Sequence, residues 1–372
     1  MDSADKLRDH ARLAVVESRL TSRENILKNK RKSLQDVVDN GRLIKNEEVT
    51  ILANKLKTKS LVQFEDLALL KIAFVQSSHN IVAFLKVKGA LHGLVREFSS
   101  AKPNFELLAA ECICNLALGD AKSCFIVAKA AGPYLLTTLS GFNDNLKAIS
   151  VWALGNLVGS DEKTWKIVHS QGLMGKLLQL VSENDNLPDM REDLIHNSLT
   201  TLTQFLRVGA QHLTAEEIQD TTNTIVRLKN STSEELVKSI YLLSCMEASE
   251  PQLINHKLHL KCLNFLVDED ITVETVLKFT ACVRIIANLA AENSGVCALE
   301  IITHWKSVQR IIQKISLATY THLRIELGWL LGNIVNHSSA QVQNEIAKFS
   351  NDILQYDSKC LFLPLNSVVS CD

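Results

Sequence analysis

The sequence predicts an all-α solenoid, built as a stack of similar helical units instead of one globular core. An apolar segment that ends in Asn-Leu occurs at 108–116 and again at 149–157, which places Asn115 and Asn156 41 residues apart. Self-similarity at a period of about 40 residues is typical of helical solenoids. The composition agrees, because 46% of the residues are hydrophobic while only 5% are aromatic, a balance that suits packed helices rich in Leu, Ala and Ile.

The same period continues downstream with weaker similarity. A third copy ends at Asn288 and a fourth at Asn333, while two units between the second and third copies have Gln204 and Cys245 where the others have Asn. The segment 67–74 is a degenerate first copy. The spacing therefore predicts about seven units of two or three helices each. Because a solenoid unit contacts only its neighbours, 372 residues need no division into separate globular domains.

Three parts are predicted along the chain: an arm at 1–45, the solenoid at 46–356 and a tail at 357–372. The arm is a predicted charged helix, and its central run of basic residues is interrupted by one acid, Glu24. The basic residues of this run are Arg19, Arg23, Lys28, Lys30, Arg31 and Lys32. The chain after residue 45 carries 29 basic and 34 acidic residues. A basic arm on a mildly acidic body is a layout typical of interaction tails.

Turn and cap residues divide the solenoid. Pro103 ends any helix before it, and the polar run 183–189 predicts a longer loop. Thr214 and Ser233, each followed closely by two glutamates, predict helix N-termini. The tail from residue 357 lacks helical periodicity; it fits a capping segment or the end of a truncated array, and we expect it to be partly disordered.

Nothing in the sequence predicts catalysis or a cofactor. It contains no GxGxxG, Walker, HExxH or GxSxG motif. The nine cysteines are irregularly spaced without a CxxC pair, so we expect no metal site and mostly buried thiols in a reduced protein of the cytoplasm, the nucleus or both. The first residues are charged and no window of 18 apolar residues occurs, so neither a signal peptide nor a membrane span is expected. Nucleic acid is not an expected partner, because the arm has no interleaved aromatic residues.

Counting each copy from its Asn separates two helix faces. At about 100° per residue, the residue two positions before the Asn lies opposite to it. These opposite residues are Ile113, Leu154, Ile286 and Leu331. The residue four positions before the Asn lies on the same face as the Asn. Those residues are Glu111, Trp152, Arg284 and Trp329. The core face is therefore complete without the Asn, so we expect the Asn face to point away from the core.

A Trp one turn from an Asn is suited to an extended peptide. The Asn side chain offers a donor and an acceptor, which match the two groups of a peptide unit. The Trp ring can hold the stem of a Lys or Arg and attract its charge. A structural alternative stays open, because an Asn near a helix end, such as Asn115 before Gly119, can satisfy free backbone carbonyls and a Trp can bridge adjacent repeats.

The segments Ser150–Leu157 and Gly328–Asn333 resemble armadillo repeats, whose third helix carries Trp and Asn on the concave face. Within the armadillo proteins the chain is similar to the importin-alpha family of nuclear import adaptors. The segments Lys88–Leu94 and Tyr134–Leu139 are in addition similar to a divergent relative of that family. The resemblance implies a right-handed armadillo solenoid that is not an enzyme.

The resemblance also implies a site and partners. A concave groove would bind basic localisation-signal peptides of cargo proteins. The implied groove residues are Trp152, Asn156, Asn115, Asn288, Trp329 and Asn333. The arm at 1–45 is similar to the basic helix by which the family binds importin beta, so importin beta is the second implied partner.

The chain departs from the importin-alpha pattern, and the departures leave two functions open. Glu111 and Arg284 replace Trp beside their Asn, and Arg284 would repel a basic peptide. One hypothesis is an import adaptor that binds basic peptides at the two intact Trp–Asn pairs. The alternative is a scaffold that kept the fold, lost signal binding and holds another protein, with the arm a solvated charged helix. Acidic residues lining the groove would favour the first, and Asp161 and Glu162 are the candidates.

Overall fold

The computed structural model is helical and without β-strands over the residues that it describes. These residues are 43–58, 62–100, 102–184, 192–228, 233–350 and 352–353. The predicted arm, apart from 43–45, and the predicted tail at 357–372 lie outside the described residues. The chain divides into two compact units, unit 1 from Met1 to Lys176 and unit 2 from Leu177 to Asp372, and each is described by itself.

Unit 1 contains eight helices within its described residues, and a ninth begins in it and ends in unit 2. They are α1 (Asn46–Thr58), α2 (Phe64–Gln76), α3 (Ser78–Lys86), α4 (Ala90–Phe98), α5 (Pro103–Leu116), α6 (Ala121–Thr138), α7 (Asp144–Val158), α8 (Glu162–Ser170) and α9 (Leu173–Asn184). Helix α2 packs on α5 and α5 packs on α7, so the helices that end each repeat form one row.

Unit 2 repeats this arrangement. Its helices are α10 (Glu192–Gly209), α11 (Ala215–Ile225), α12 (Glu234–Ser244), α13 (Glu250–Asn255), α14 (Leu258–Asp268), α15 (Val276–Leu289), α16 (Val296–Thr303), α17 (Trp305–Leu317), α18 (Thr321–Val335) and α19 (Ala340–Ile346). Short 3₁₀ turns occupy Ala210–His212, Glu247–Ser249 and Ala347–Phe349. Helices α10, α12, α15 and α18 pack successively side by side.

The seven helices of these two rows carry the predicted repeat motif. We call them the third helices, because in complete repeats a shorter first helix and a second helix precede each of them: α16 and α17, for example, precede α18. The apolar positions opposite the Asn are all buried, as the sequence predicted. They are Ile113, Leu154, Ile286 and Leu331. Burying a large aliphatic side chain contributes about 1.5–3 kcal/mol, so this position is a main source of cohesion between repeats.

In several repeats the turn between the first and second helix ends in a residue with a positive φ. Gly89 (φ +94°) and Gly172 (φ +92°) end this turn in the left-handed region, where glycine meets no Cβ penalty. Lys257 occupies the corresponding turn before α14 with φ +54°. In the second repeat there is no turn at all, because α6 runs continuously through Gly132 and Pro133.

The predicted helix N-termini are confirmed. Thr214 Oγ1 accepts a hydrogen bond from the Glu217 N–H at 3.2 Å, and the Glu217 carboxylate accepts from the Thr214 N–H at 2.9 Å, which completes a capping box. Ser233 Oγ accepts from the Leu236 N–H at 3.3 Å. Pro103 is the first residue of α5, where its missing N–H has no cost.

Candidate functional site

The two predicted tryptophans lie exposed on third helices, one in each unit. Trp152 of α7 is 42% exposed and Trp329 of α18 is 65% exposed. Each precedes its asparagine, Asn156 or Asn333, by one helical turn. Indole rings of this size are rarely left in solvent without a use, and Trp is enriched at the centres of protein interfaces. The third-helix surface of each unit is therefore the candidate site.

The asparagines of unit 1 make contacts that the sequence did not predict. Asn115 is buried, and its Nδ2 donates to the Lys71 carbonyl of α2 at 3.0 Å. The Nδ2 of Asn156, which is half-buried, lies 3.7 Å from Cys114 Sγ of α5. Both side chains therefore reach back to the preceding third helix. The expectation that they face away from the packed helices holds only in part.

Unit 2 follows the same pattern. Asn288 Nδ2 donates to Ser244 Oγ of α12 at 2.9 Å, and Asn333 Nδ2 donates to the Ala287 carbonyl of α15 at 2.8 Å. Cys114, Ser244 and Ala287 each lie just before the Asn position of the preceding repeat, and Asn288 Nδ2 also lies 3.3 Å from Cys245 Sγ at that position. Each such amide uses its N–H to join two repeats, and its oxygen Oδ1 is the group that a ligand N–H could reach.

An ion pair crosses the third-helix surface in each unit. In unit 1 Lys71 Nζ lies 2.6 Å from Glu111 Oε2. In unit 2 Arg284 of α15 forms an ion pair and a hydrogen bond with Glu326 of α18. The pKa of Arg284 is raised, mainly by this hydrogen bond. The Arg284 guanidinium also lies 5.4 Å from the ring centre of Tyr241, on α12. The two residues that replace Trp are thus held by charges of the neighbouring helices.

The acidic residues that the sequence offered as groove lining have other roles. Asp161 caps α8, because its carboxylate accepts from the Thr164 N–H at 3.0 Å. Glu162 pairs with Lys166 one turn later on the same helix, at 2.6 Å. Both carboxylates therefore make contacts with residues of helix α8.

Charge is distributed unevenly over the third helices. Helices α2, α5 and α7 of unit 1 together contain five acids and two bases, a net charge of −3. Helices α15 and α18 of unit 2 contain three bases and one acid, a net charge of +2 with His322 neutral. The other two third helices of unit 2, α10 and α12, each carry two acids and one base, so among the third helices of unit 2 the net positive charge is confined to α15 and α18.

Cys297, His259 and Glu300 are arranged like a hydrolytic triad, but this cluster lacks the chemistry of one. His259 lies between Cys297, with Sγ 3.3 Å from Nδ1, and Glu300, with Oε2 2.6 Å from Nε2. Cys297 and His259 are both fully buried, and burial raises the pKa of the Cys297 thiol to about 12. A protonated, inaccessible thiol is no nucleophile. No group of three metal-ligating side chains occurs in the described part of the chain.

Several residues of the surface escaped the sequence analysis. Ile325, one turn before Trp329, and Leu277, two turns before Arg284, are exposed apolar residues. Tyr241 and Glu326 are the partners of Arg284. Examining the residues four and seven positions before the Asn position of every repeat would have found Tyr241 and Glu326. The six arm residues from Arg19 to Lys32 lie outside the described residues.

Comparison with known proteins agrees with the repeat architecture. No protein-family model matches the chain. Importin subunit alpha-1b of Oryza sativa subsp. japonica is 28% identical over 136 residues, 36% of this chain and 24% of the relative. Importin subunit alpha-2 of Arabidopsis thaliana is 27% identical over 136 residues with the same coverage. The match therefore spans about a quarter of the length of these relatives.

Solved structures show the same fold. A structure described as an engineered protein superposes with a TM-score of 0.64 at 17% identity, covering 83% of this chain and 72% of its own. A designed armadillo repeat protein in complex with the peptide (KR)4 superposes with a TM-score of 0.53 at 17% identity, covering 65% of this chain and 99% of its own. These similarities confirm an all-α armadillo-repeat solenoid. In the described residues no helix is long and apolar enough to cross a membrane.

Proposed function

We propose that this armadillo-repeat chain is an adaptor that binds an extended segment of another protein on its third helices. The first ligand is a basic peptide of the localisation-signal type, held at Trp152 and Asn156 in unit 1. One observation carries the proposal: Trp152 presents an exposed indole one turn before Asn156, on the acidic third-helix row.

The chemistry at this position fits a basic chain. The Trp152 ring would hold the aliphatic stem of a Lys or Arg, and its π-face attracts the charge by about 0.5–1 kcal/mol at an exposed site. Asn156 Oδ1 would accept a peptide N–H. The net charge of −3 on α2, α5 and α7 adds a longer-range attraction. Asn115 would contribute less than Asn156, because it is buried against α2.

The relatives suggest what such binding would serve. Two similar proteins are importin alpha subunits, and one similar fold was solved with a (KR)4 peptide. We infer a transport adaptor, without enzymatic activity, that takes cargo from the cytoplasm to the nucleus. The basic arm would bind importin beta or fold back on the empty surface. We also propose that the chain is related to the divergent armadillo protein called transmembrane and coiled-coil domain-containing protein six.

Trp329, Asn333 and Asn288 form a second position in unit 2. The alternative function, a scaffold that holds a different protein, is favoured there by a specific observation. Glu326, the one acid of α15 and α18, is already paired with Arg284. A basic side chain over Trp329 would therefore find no other acidic residue on α15 or α18 to pair with.

Binding of fluorescein-labelled (KR)4 to the purified chain tests the proposal. The double variant Trp152→Ala/Asn156→Ala should weaken binding by about 30-fold, the loss expected for a hot-spot residue. Tyr134→Ala is the matched control, because Tyr134 is an exposed aromatic residue on α6, outside the third helices. Removal of residues 1–45 should strengthen binding if the arm competes. Equal affinity for the double variant and the Tyr134 variant would refute the proposal and leave the scaffold.

A further inference from the structure

An exposed apolar patch lies beside Trp329 in unit 2. Trp329 is 65% exposed, Ile325 one turn earlier on α18 is 58% exposed, and Leu277 on the adjacent α15 is 56% exposed. Three large apolar side chains are thus exposed on two third helices that pack together. Patches of this kind, rimmed by polar groups, typically mark interaction sites.

The charges around the patch are basic. Helices α15 and α18 carry Lys278, Arg284 and Arg324 against a single acid, Glu326. Lys278 lies 4.3 Å from the ring centre of Phe265 on the second helix α14, and Arg324 donates to the Ser316 carbonyl. Both contacts turn these two bases toward the second-helix side. Arg284 is therefore the base on the face that also carries Trp329.

Arg284 is fixed but not enclosed. Its guanidinium faces the Tyr241 ring and pairs with Glu326, and its side chain remains 40% exposed, whereas that of Glu326 is only 14% exposed. A guanidinium has five N–H donors in a planar fork, so one edge can donate to Glu326 while another donates to a second carboxylate. In this ion pair Arg284 is therefore accessible to solvent, whereas Glu326 is largely shielded from it.

We propose that Leu277, Arg284, Ile325 and Trp329 form a binding surface for an extended protein segment in which large apolar side chains alternate with carboxylates. A ligand carboxylate binds Arg284, and a neighbouring apolar side chain covers Trp329 and Ile325. The proposal rests on the proposed function in one respect, that third helices bind protein segments. It gives unit 2 a ligand of opposite charge to that of unit 1.

A basic ligand is disfavoured at this surface by the same contacts. A Lys or Arg over Trp329 gains cation–π attraction. It also brings a second positive charge to the surface that carries Arg284, and like charges repel. Glu326 cannot offset this repulsion without leaving Arg284.

The test uses the full chain and a labelled peptide of alternating Glu with Phe and Leu. The matched peptide has Gln in place of every Glu, and (KR)4 is the basic comparison. The acidic peptide should bind at least several-fold more tightly than the Gln peptide, and Trp329→Ala should weaken it about 30-fold. Arg284→Gln should weaken the acidic peptide about tenfold and leave the Gln peptide nearly unchanged.

The variant Glu326→Gln separates a binding role of Arg284 from a structural one. It removes the carboxylate that competes with the ligand for the Arg284 guanidinium, so the affinity for the acidic peptide should rise by a few-fold. If the pair has only a structural role, its loss should lower that affinity instead. Glu345→Gln is its matched control, because Glu345 pairs with Lys348 on the first-helix side, 2.6 Å away.

Several results would overturn the inference. Equal affinity of the acidic and Gln peptides would remove the charge requirement. Concentration-dependent dimerisation that Trp329→Ala abolishes would show that a second copy covers the patch. If Trp152→Ala alone abolished binding of the acidic peptide, the peptide would bind in unit 1 instead. Failure of the unit 1 proposal is separate, because it is read from (KR)4 and Trp152→Ala.

Discussion

The side-chain amide of Asn333 donates a hydrogen bond of 2.8 Å to the main-chain carbonyl of Ala287, one repeat earlier in the chain. Asn115 makes the equivalent bond to Lys71 at 3.0 Å. The motif residue that suggested ligand binding therefore also ties successive third helices together. Its donor serves the fold, and in our proposal the acceptor of Asn156 binds a partner.

The first prediction concerns this tie between repeats. Asn115→Ala should lower the free energy of unfolding by about 1–2 kcal/mol, because the Lys71 carbonyl loses a buried donor. Urea unfolding followed by circular dichroism measures the change. Asn145→Ala is the control, since Asn145 is exposed on α7 and should change stability by less than about 0.5 kcal/mol. Equal effects of the two variants would contradict the role assigned to Asn115.

A second prediction concerns the close approach of α4 to α1. A Cβ on Gly93 would lie 2.4 Å from the Leu56 carbonyl oxygen, a backbone atom that cannot turn away. Gly93→Ala should therefore destabilise the chain by about 1–3 kcal/mol, despite the better helix propensity of Ala. Gly332→Ala, also within a helix but with open space around it, should instead stabilise by up to about 1 kcal/mol. Melting temperatures that move in the same direction would be inconsistent with the packing of α4.

A third prediction isolates backbone conformation from packing. Gly172 and Gly175 are three residues apart, and a Cβ on either would meet nothing within 4 Å. Only Gly172 has a positive φ, of +92°. Gly172→Ala should cost about 1–2 kcal/mol, whereas Gly175→Ala, inside α9, should be neutral or stabilising. Parallel chemical denaturation of the two variants checks this, and a harmless Gly172→Ala would mean that the turn before α9 adapts.

The fourth prediction concerns pH. Burial lowers the pKa of His259 below its ordinary 6.5, against the opposing hydrogen bond to Glu300. A folded-state pKa that is lowered means that the unfolded chain takes the proton first. Stability is therefore complete above about pH 6.5 and is lost as the pH falls below that value.

Unfolding midpoints in urea at about pH 7.5 and pH 5.5 measure this effect. His259→Gln should reduce the loss between the two values, because the titrating ring is gone. His92→Gln, a change of an exposed histidine on α4, should leave the loss as it is. Identical pH dependence of both variants would assign the acid sensitivity to other groups.

The repeat architecture was predictable from the sequence because it depends on spacing. The period from Asn115 to Asn333 fixed the third helices, and the buried Ile113 and Leu154 confirm which face each turns inward. The caps at Thr214 and Ser233 were also predictable, since a cap depends on residues three apart. Local and periodic signals are the ones that a single sequence carries.

The contacts between third helices were not predictable, because they join residues more than 30 positions apart. The partner of Asn115 is a backbone carbonyl, which has no sequence signature, and the partner of Arg284 depends on how α15 lies against α18. Asp161, a groove candidate from the sequence, caps the N-terminus of the helix that follows it. Sequence supplied the residue types, and packing decided their use.

The most direct measurement of the central proposal is the location of a bound basic peptide. A (KR)4 peptide with a photoreactive benzophenone, irradiated with the full chain, should attach within α5 or α7, close to Trp152. Attachment should saturate and be removed by Trp152→Ala/Asn156→Ala. Saturable attachment to α15 or α18 instead, or none to the third helices of unit 1, would contradict the account.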